Sequence, residues 1–261
     1  MKEFTTRAVS GLFYVALLLG SLFYSTLAFY IVIAVFSSLA LWEFIALINF
    51  QKAFVVVLPL FFALLYFDKI SQDGITFILM ASLAMNLWVT VACFQQDSSA
   101  FMPIKKIALC VFYLIGSSAF IPLLIGNSSS IDLHFTLVFY VSIWTNNSFA
   151  YLVGSTRGRR KLFPKISPKK SWEGFFGGML ATLIVLFIIE KIHPVFGLYW
   201  IALGILLPLL ATIGDLIQSY FKRRVNVKDS GSLIPGHGGF YDRMDSVIYC
   251  APFYYLFLKL I

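Results

Sequence analysis

Apolar runs recur along almost the whole length of this 261-residue chain, and they constrain its fold more than any other feature. Nine are readable, at roughly 8–24, 27–47, 53–67, 74–94, 105–126, 133–153, 174–192, 196–218 and 243–260. A helix needs about 20 apolar residues to cross ~30 Å of hydrocarbon. All but the third run approach or exceed that length, and the third contains Pro59. Charged residues make up 12% of the chain, about half the ~25% usual in soluble domains. The mean hydropathy is +0.87. Too little polar surface exists to cover a soluble core. The runs therefore predict an all-α, polytopic integral membrane protein with about nine transmembrane helices.

Lys and Arg set the expected orientation. With nine spans, the N-terminus and the loops after spans two, four, six and eight share one side. All of the 20 Lys and Arg residues except Lys69, Lys191 and Lys259 then fall on that side. Cytoplasmic loops carry such an excess, so the N-terminus and these basic loops are expected to be cytoplasmic. The first run follows Lys2 and Arg7 like a signal peptide, but no small-x-small cleavage site follows it. It is read as a retained helix. A net charge of +8 points to anionic membrane lipid or a phosphorylated substrate rather than to nucleic acid. Cys93, Cys110 and Cys250 all lie in apolar runs without CxxC spacing, as packing residues do.

The chain changes character near residue 135. Residues 1–135 read as spans with short loops. Residues 136–261 carry long, basic, Gly/Pro-rich loops at 154–173 and 222–242, both on the expected cytoplasmic face. Function is expected there, because binding groups concentrate on loops held by a rigid scaffold.

On a helix, Asp215, Ser219 and Lys222 stand at i, i+4 and i+7, one face of the inner end of span eight. An acid after so long an apolar stretch faces protein or water rather than lipid. It is either clasped by Lys222 or Arg223 or is a ligand for a metal or polar substrate. Loop 222–242 then reads Pro235-Gly236-His237-Gly238-Gly239. Such a turn can point successive backbone N–H groups at an anion. Asp242 and Asp245 follow at i, i+3. With Asp215 they would suit a hard divalent cation, while Arg243 and the Lys222-Arg223-Arg224 cluster neutralise phosphate. The competing reading makes the two acids helix-N-terminal decoration. His237 has no second soft ligand at zinc spacing and is equally a turn-stabilising donor.

Loop 154–173 ends in Ser167-Pro168-Lys169-Lys170-Ser171, just before span seven. A serine cap, the N–H groups of a helix start and two lysines together resemble a phosphate cradle. Plain positive-inside anchoring accounts for Arg157 to Lys161 but poorly for this order of residues. Glu43, in span two, is a further intramembrane acid, with helix packing and a site role equally open. No P-loop, GxGxxG or GxSxG occurs.

The block from Ser219 to Asp245 reads S-x-x-K-R-x4-K-D-x-G-x2-I-P-G-H-G-G-x-x-D-R-x-D. It resembles the signature of the phosphatidate cytidylyltransferases, or CDP-diacylglycerol synthases. The SPKKSWEG segment and the span layout are similar too, firmly in the C-terminal half and in the N-terminal half by hydropathy alone. The resemblance implies transfer of the cytidylyl group of CTP to phosphatidate, giving CDP-diacylglycerol and pyrophosphate. It also implies Mg2+, one ion or two, a homodimer, and a bacterial inner membrane with the site facing the cytoplasm. It assigns catalytic roles to Asp215, Ser219, Lys222, Asp242 and Asp245, with Asp215, Asp242 and Asp245 as metal ligands. Ser167, Lys169, Lys170, Ser171, Arg223, Lys228, Asp229, His237, Gly238, Gly239, Arg243 and Asn147 are expected to bind substrate. One position departs: Asn147 stands where the family has Asp, which keeps an oxygen and loses a charge. A weakened or inactive lipid-binding relative is thus one rival reading. A transporter is the other, although its polar groups would cross the membrane rather than gather at one face.

Overall fold

The computed structural model describes residues 2–97, 102–125, 130–236 and 238–261. Each apolar run is helical over most of its described residues. The helices are α1 (Lys2–Tyr24), α2 (Thr26–Leu47), α3 (Val57–Tyr66), α4 (Gln72–Gln95), α5 (Pro103–Ala108), α6 (Ser117–Leu123), α7 (Ser130–Arg157), α8 (Trp172–Ile192), α9 (Tyr199–Arg224) and α10 (Tyr241–Leu260). A 3-10 turn at Lys52–Val56 leads into α3, so Pro59 falls in the first turn of that helix, where its missing N–H breaks no bond. A π-helical stretch, Leu109–Gly116, joins α5 to α6 as one rod.

Local chemistry explains the helix boundaries. Ser25, Ser71 and Ser171 cap α2, α4 and α8, each accepting a hydrogen bond from the backbone N–H three residues on. Asn49, Asp68, Gln96 and Asn226 take positive φ just beyond helix ends, a conformation that Asn and Asp tolerate best. Among the described residues, five helical rods are long and apolar enough to cross a membrane: α2, α4, the α5–α6 rod (Ile104–Leu123), α8 and α9. Val9–Tyr24 and Lys52–Tyr66 are shorter apolar helices. The molecule is an all-α membrane protein in its bulk.

One local element was not expected. Loop 154–173 holds a two-stranded antiparallel hairpin, β1 (Lys161–Phe163) and β2 (Ser167–Ser171), with Lys161 opposite Ser171 and Phe163 opposite Ser167. Glu173, in the first turn of α8, fixes its base by accepting from the backbone N–H groups of Arg159 and Arg160. The second loop is also shorter than expected. Helix α9 runs on to Arg224, so Lys222, Arg223 and Arg224 form its last turn and the loop proper is 225–240.

The core lies where α9 and α10 meet α2, α4 and α7. Phe44 of α2 packs edge-on against Phe221 of α9 and Tyr241 of α10. The buried hydroxyls of Tyr113 and Tyr241 share a 2.8 Å hydrogen bond, which meets the need of a buried phenol for a partner. Cys93, Cys110 and Cys250 are buried free thiols, as expected of packing residues.

The ends of the rods sort by side. Lys106 donates to the Asn49 carbonyl, the Tyr220 hydroxyl to the Asp97 carbonyl, and Arg223 Nε to the Ile166 carbonyl. The loops after α2, α4, α7 and α9 therefore gather at one end of the bundle. His134 and His193 meet at the other end, their rings 4.9 Å apart.

Candidate active site

A cavity of about 730 Å³ opens among α7, α8, α9, the start of α10 and the hairpin. Its walls bring together residues far apart in sequence. Helix α7 contributes Asn147, and β2 contributes Lys169, Lys170 and the capping Ser171. Helix α9 contributes Asp215 and Lys222, the loop contributes Asp229, and α10 contributes Asp242, Arg243 and Asp245.

Asp215 does not pair with Lys222 or Arg223. Its Oδ2 lies 2.8 Å from Nζ of Lys170, across from the hairpin, and its Oδ1 accepts from Ser219 at 3.4 Å. Helix pitch suggested the clasp with Lys222, but the hairpin delivers a cation closer. Lys170 and Asp215 remain 24% and 36% exposed, so both stay open to the cavity.

Lys222 instead pairs with Asp242, at 2.7 Å, and this pair is buried, at 10% and 8% exposure. Asp242 is fully engaged. Its Oδ1 accepts from Lys222 and from the Gln218 amide. Its Oδ2 accepts from the backbone N–H of Ser230 (2.8 Å), the Ser230 hydroxyl (2.9 Å) and the backbone N–H of Gly239 (2.9 Å). Of the glycine turn, the Gly239 N–H meets a carboxylate, and that carboxylate is the chain's own Asp242, shared with Ser230 from the start of the loop. Gly238 makes the turn possible with φ of 83°.

Asp245 lies 6% exposed on the cavity wall, with Oδ1 accepting from the backbone N–H of Ser246 at 2.6 Å. A Cβ added to Gly214 would lie 3.1 Å from the Asp245 carbonyl oxygen. The bare glycine lets α9 and α10 close up here, next to Asp215 in the chain.

The expected metal triad is not assembled. Among the described residues, no three His, Cys, Asp or Glu side chains gather as a metal-binding group. Asp215 and Asp245 share the cavity, whereas Asp242 has both oxygens in use. Other expected site residues stand outside it. Arg223 ties the hairpin to the loop, donating to the carbonyls of Ile166 and Val227. Ser167 pairs in the hairpin, Lys228 is exposed on the loop, and Ser219 lies one turn behind Asp215. Gly238 and Gly239 serve the Asp242 turn, and His237 lies outside the described residues. Asn147 does line the cavity, where its Oδ1 accepts from Asn146 at 3.2 Å.

Sequence reasoning missed Gln218 and Ser230. Gln218 was findable, since it stands at i+3 from Asp215 on the same face. Ser230 carries no sequence signal, because its partners come from α2 and α10.

Residues 5–261 match the model of the cytidylyltransferase family. A phosphatidate cytidylyltransferase of Bacillus subtilis is 33% identical over an alignment covering 100% of this chain and 99% of the relative. One from Rickettsia bellii is 40% identical over 54% of this chain and 67% of its own length. One from Staphylococcus aureus strain COL is 42% identical over 46% of this chain and 47% of its own length. With the family model covering nearly all its length, this chain belongs to the cytidylyltransferase family.

Proposed function

We propose that this protein transfers the cytidylyl group of CTP to phosphatidate, yielding CDP-diacylglycerol and pyrophosphate, in the cavity between the hairpin and α10. One observation carries the reading: a single cavity at the basic end of the bundle gathers carboxylates open to a cation and lysines open to phosphate. The full-length relative named phosphatidate cytidylyltransferase agrees with it.

The chemistry needs little more than those groups. An oxygen of the phosphatidate phosphate attacks the α-phosphorus of CTP. The bond from that phosphorus to the bridging oxygen of the β-phosphate breaks, and pyrophosphate leaves with the electron pair. A phosphate monoester carries about −1.5 to −2 charges near pH 7, so the nucleophile needs no strong base. Repulsion between the two anions is the obstacle, and charge neutralisation with positioning removes it. Lys169, Lys170 and Arg243 line the cavity as the phosphate-neutralising groups. Lys222, tied to Asp242, holds the α9–α10 wall that carries Arg243 and faces the hairpin lysines.

The donor set fits a hard cation in part. Asp215 and Asp245, from touching helices, offer two carboxylates, and Mg2+ usually takes one or two from protein and the rest from water and substrate phosphate. Mg2+ so held would draw charge from the phosphate oxygens and the leaving pyrophosphate. Asp242 is the anchor of the wall rather than a ligand in this reading. Lys170 releases Asp215 when phosphate draws its ammonium away. A pair this exposed is worth only about 0–1 kcal/mol.

The same reading places nine spans in an inner membrane with the N-terminus and the cavity facing the cytoplasm. The gathering of the basic loops at one end supports it. Anionic lipid against that face and a homodimeric assembly belong to the proposal too. The test is conversion of labelled CTP to lipid-extractable product by the purified protein with phosphatidate and Mg2+, with pyrophosphate counted in parallel. Equal amounts of both are expected. Pyrophosphate without lipid product, or neither, would overturn the assignment.

A further inference from the structure

Glu43, the intramembrane acid of α2 for which helix packing and a site role are equally open from sequence, reaches the loop behind the cavity. It is 3% exposed. Its Oε2 accepts from the Ser230 hydroxyl at 2.8 Å and from the backbone N–H of Tyr241, the first residue of α10, at 3.0 Å. The Ser230 hydroxyl also lies 2.9 Å from Oδ2 of Asp242. A hydroxyl has one proton to give, so the two carboxylates share it. Loop and acid are fitted closely: a Cβ on either Gly231 or Gly239 would fall on the Glu43 carboxylate. Neighbouring contacts press on the same segment. Ser10 donates to the Pro235 carbonyl at 3.0 Å, and Phe36 packs against Phe240 at 5.2 Å between ring centroids.

We propose that Glu43 is a positioning residue for the transfer reaction, acting through Ser230 and the start of α10 on Asp242 and thus on Lys222. It does not line the cavity. Glu43 spends its hydrogen bonds on the loop and on the first N–H of the helix that carries Asp242, Arg243 and Asp245. The inference rests on the reading that this cavity is the site of transfer.

The experiment uses the full-length protein in lipid nanodiscs, with kcat, KM for CTP and thermal midpoint measured for each variant. Glu43→Met keeps the length of the side chain and removes the acceptors. It is expected to lower kcat/KM by about 10- to 100-fold, the range for groups that orient a site from behind it. Glu43→Gln, which keeps an oxygen for Ser230 and Tyr241, is expected to recover most of that loss. Ser230→Ala is expected to fall short of wild type as well, and the double variant to lose no more than the worse single one, because both cut the same link. Additive losses, or an unchanged kcat/KM in Glu43→Met, would overturn the proposal. If Glu43→Met does not fold, Gly231→Ala serves instead: its activity loss is expected to be relieved by the shorter Glu43→Asp, and absence of relief would overturn the proposal. Asp215→Asn runs in parallel, since Asp215 stays open to the cavity. Full activity there would remove the underlying site reading, while its inactivation beside a fully active Glu43→Met would remove this inference alone.

Discussion

Two ion pairs stand in one cavity and are made differently. Lys170 and Asp215 join the hairpin to α9 and are about a quarter and a third exposed. Lys222 and Asp242 join α9 to α10, are nearly buried, and are surrounded by Gln218, Ser230 and Gly239. Water can replace either partner of the first pair. The second is further held by hydrogen bonds on both oxygens of Asp242. The difference separates two jobs that look alike in sequence, where each acid is an Asp near a basic cluster. On the proposed function, the exposed pair is the exchangeable one, whose partners substrate and a cation would take, and the buried pair fixes the wall against which they would bind.

The sharpest break of this comparison is Asp242→Asn. Removing one partner of a buried pair costs about 3–5 kcal/mol, so the thermal midpoint of the purified protein should fall steeply. A midpoint near wild type would move Asp242 into the exchangeable class. Asp215→Asn is expected to do the reverse. Stability should change by no more than about 1 kcal/mol. CDP-diacylglycerol formation should drop about 100- to 1000-fold, as when one stabiliser of transition-state charge is lost. Near-full turnover would discard its ligand role. Lys170→Met should leave the fold intact and raise KM for CTP about tenfold, in line with ~1.5 kcal/mol for one charge-assisted hydrogen bond. An unchanged KM would assign Lys170 to structure. The smallest effect is expected from Asn147→Asp, which adds a charge at the cavity wall without altering side-chain size. It should lower the Mg2+ concentration needed for half-maximal rate, and an unchanged requirement would place Asn147 outside the cation's reach.

The rods were legible in the sequence for a simple reason. Lipid offers no hydrogen bonds to a backbone, so each membrane helix must be written as a long apolar run. The short third run and Pro59 follow the same logic, since the proline fits the first turn of α3. The hairpin was not legible. Its strands are three and five residues long, carry Pro and Lys, and lack alternation. Their pairing is fixed by Glu173 from the next helix. The partner of Asp215 was hidden for a related reason: helix periodicity reports neighbours four and seven residues away, whereas Lys170 arrives from another element. The glycine turn was read as a cradle for a substrate anion, whereas its Gly239 N–H is taken by Asp242, only three residues beyond it. A turn and the helix it feeds can satisfy each other, and sequence does not say whether the anion is the chain's own.

The most direct test of the division between exchangeable and fixed acids is cation binding followed without turnover. Mn2+ is titrated into protein stripped of metal, and free ion is counted by electron paramagnetic resonance for wild type, Asp215→Asn, Asp245→Asn and Asp242→Asn. The account predicts that the wild type binds Mn2+, that Asp215→Asn and Asp245→Asn each lose that binding, and that folded Asp242→Asn retains it. Retention in both of the first two, or loss confined to Asp242→Asn, would contradict it.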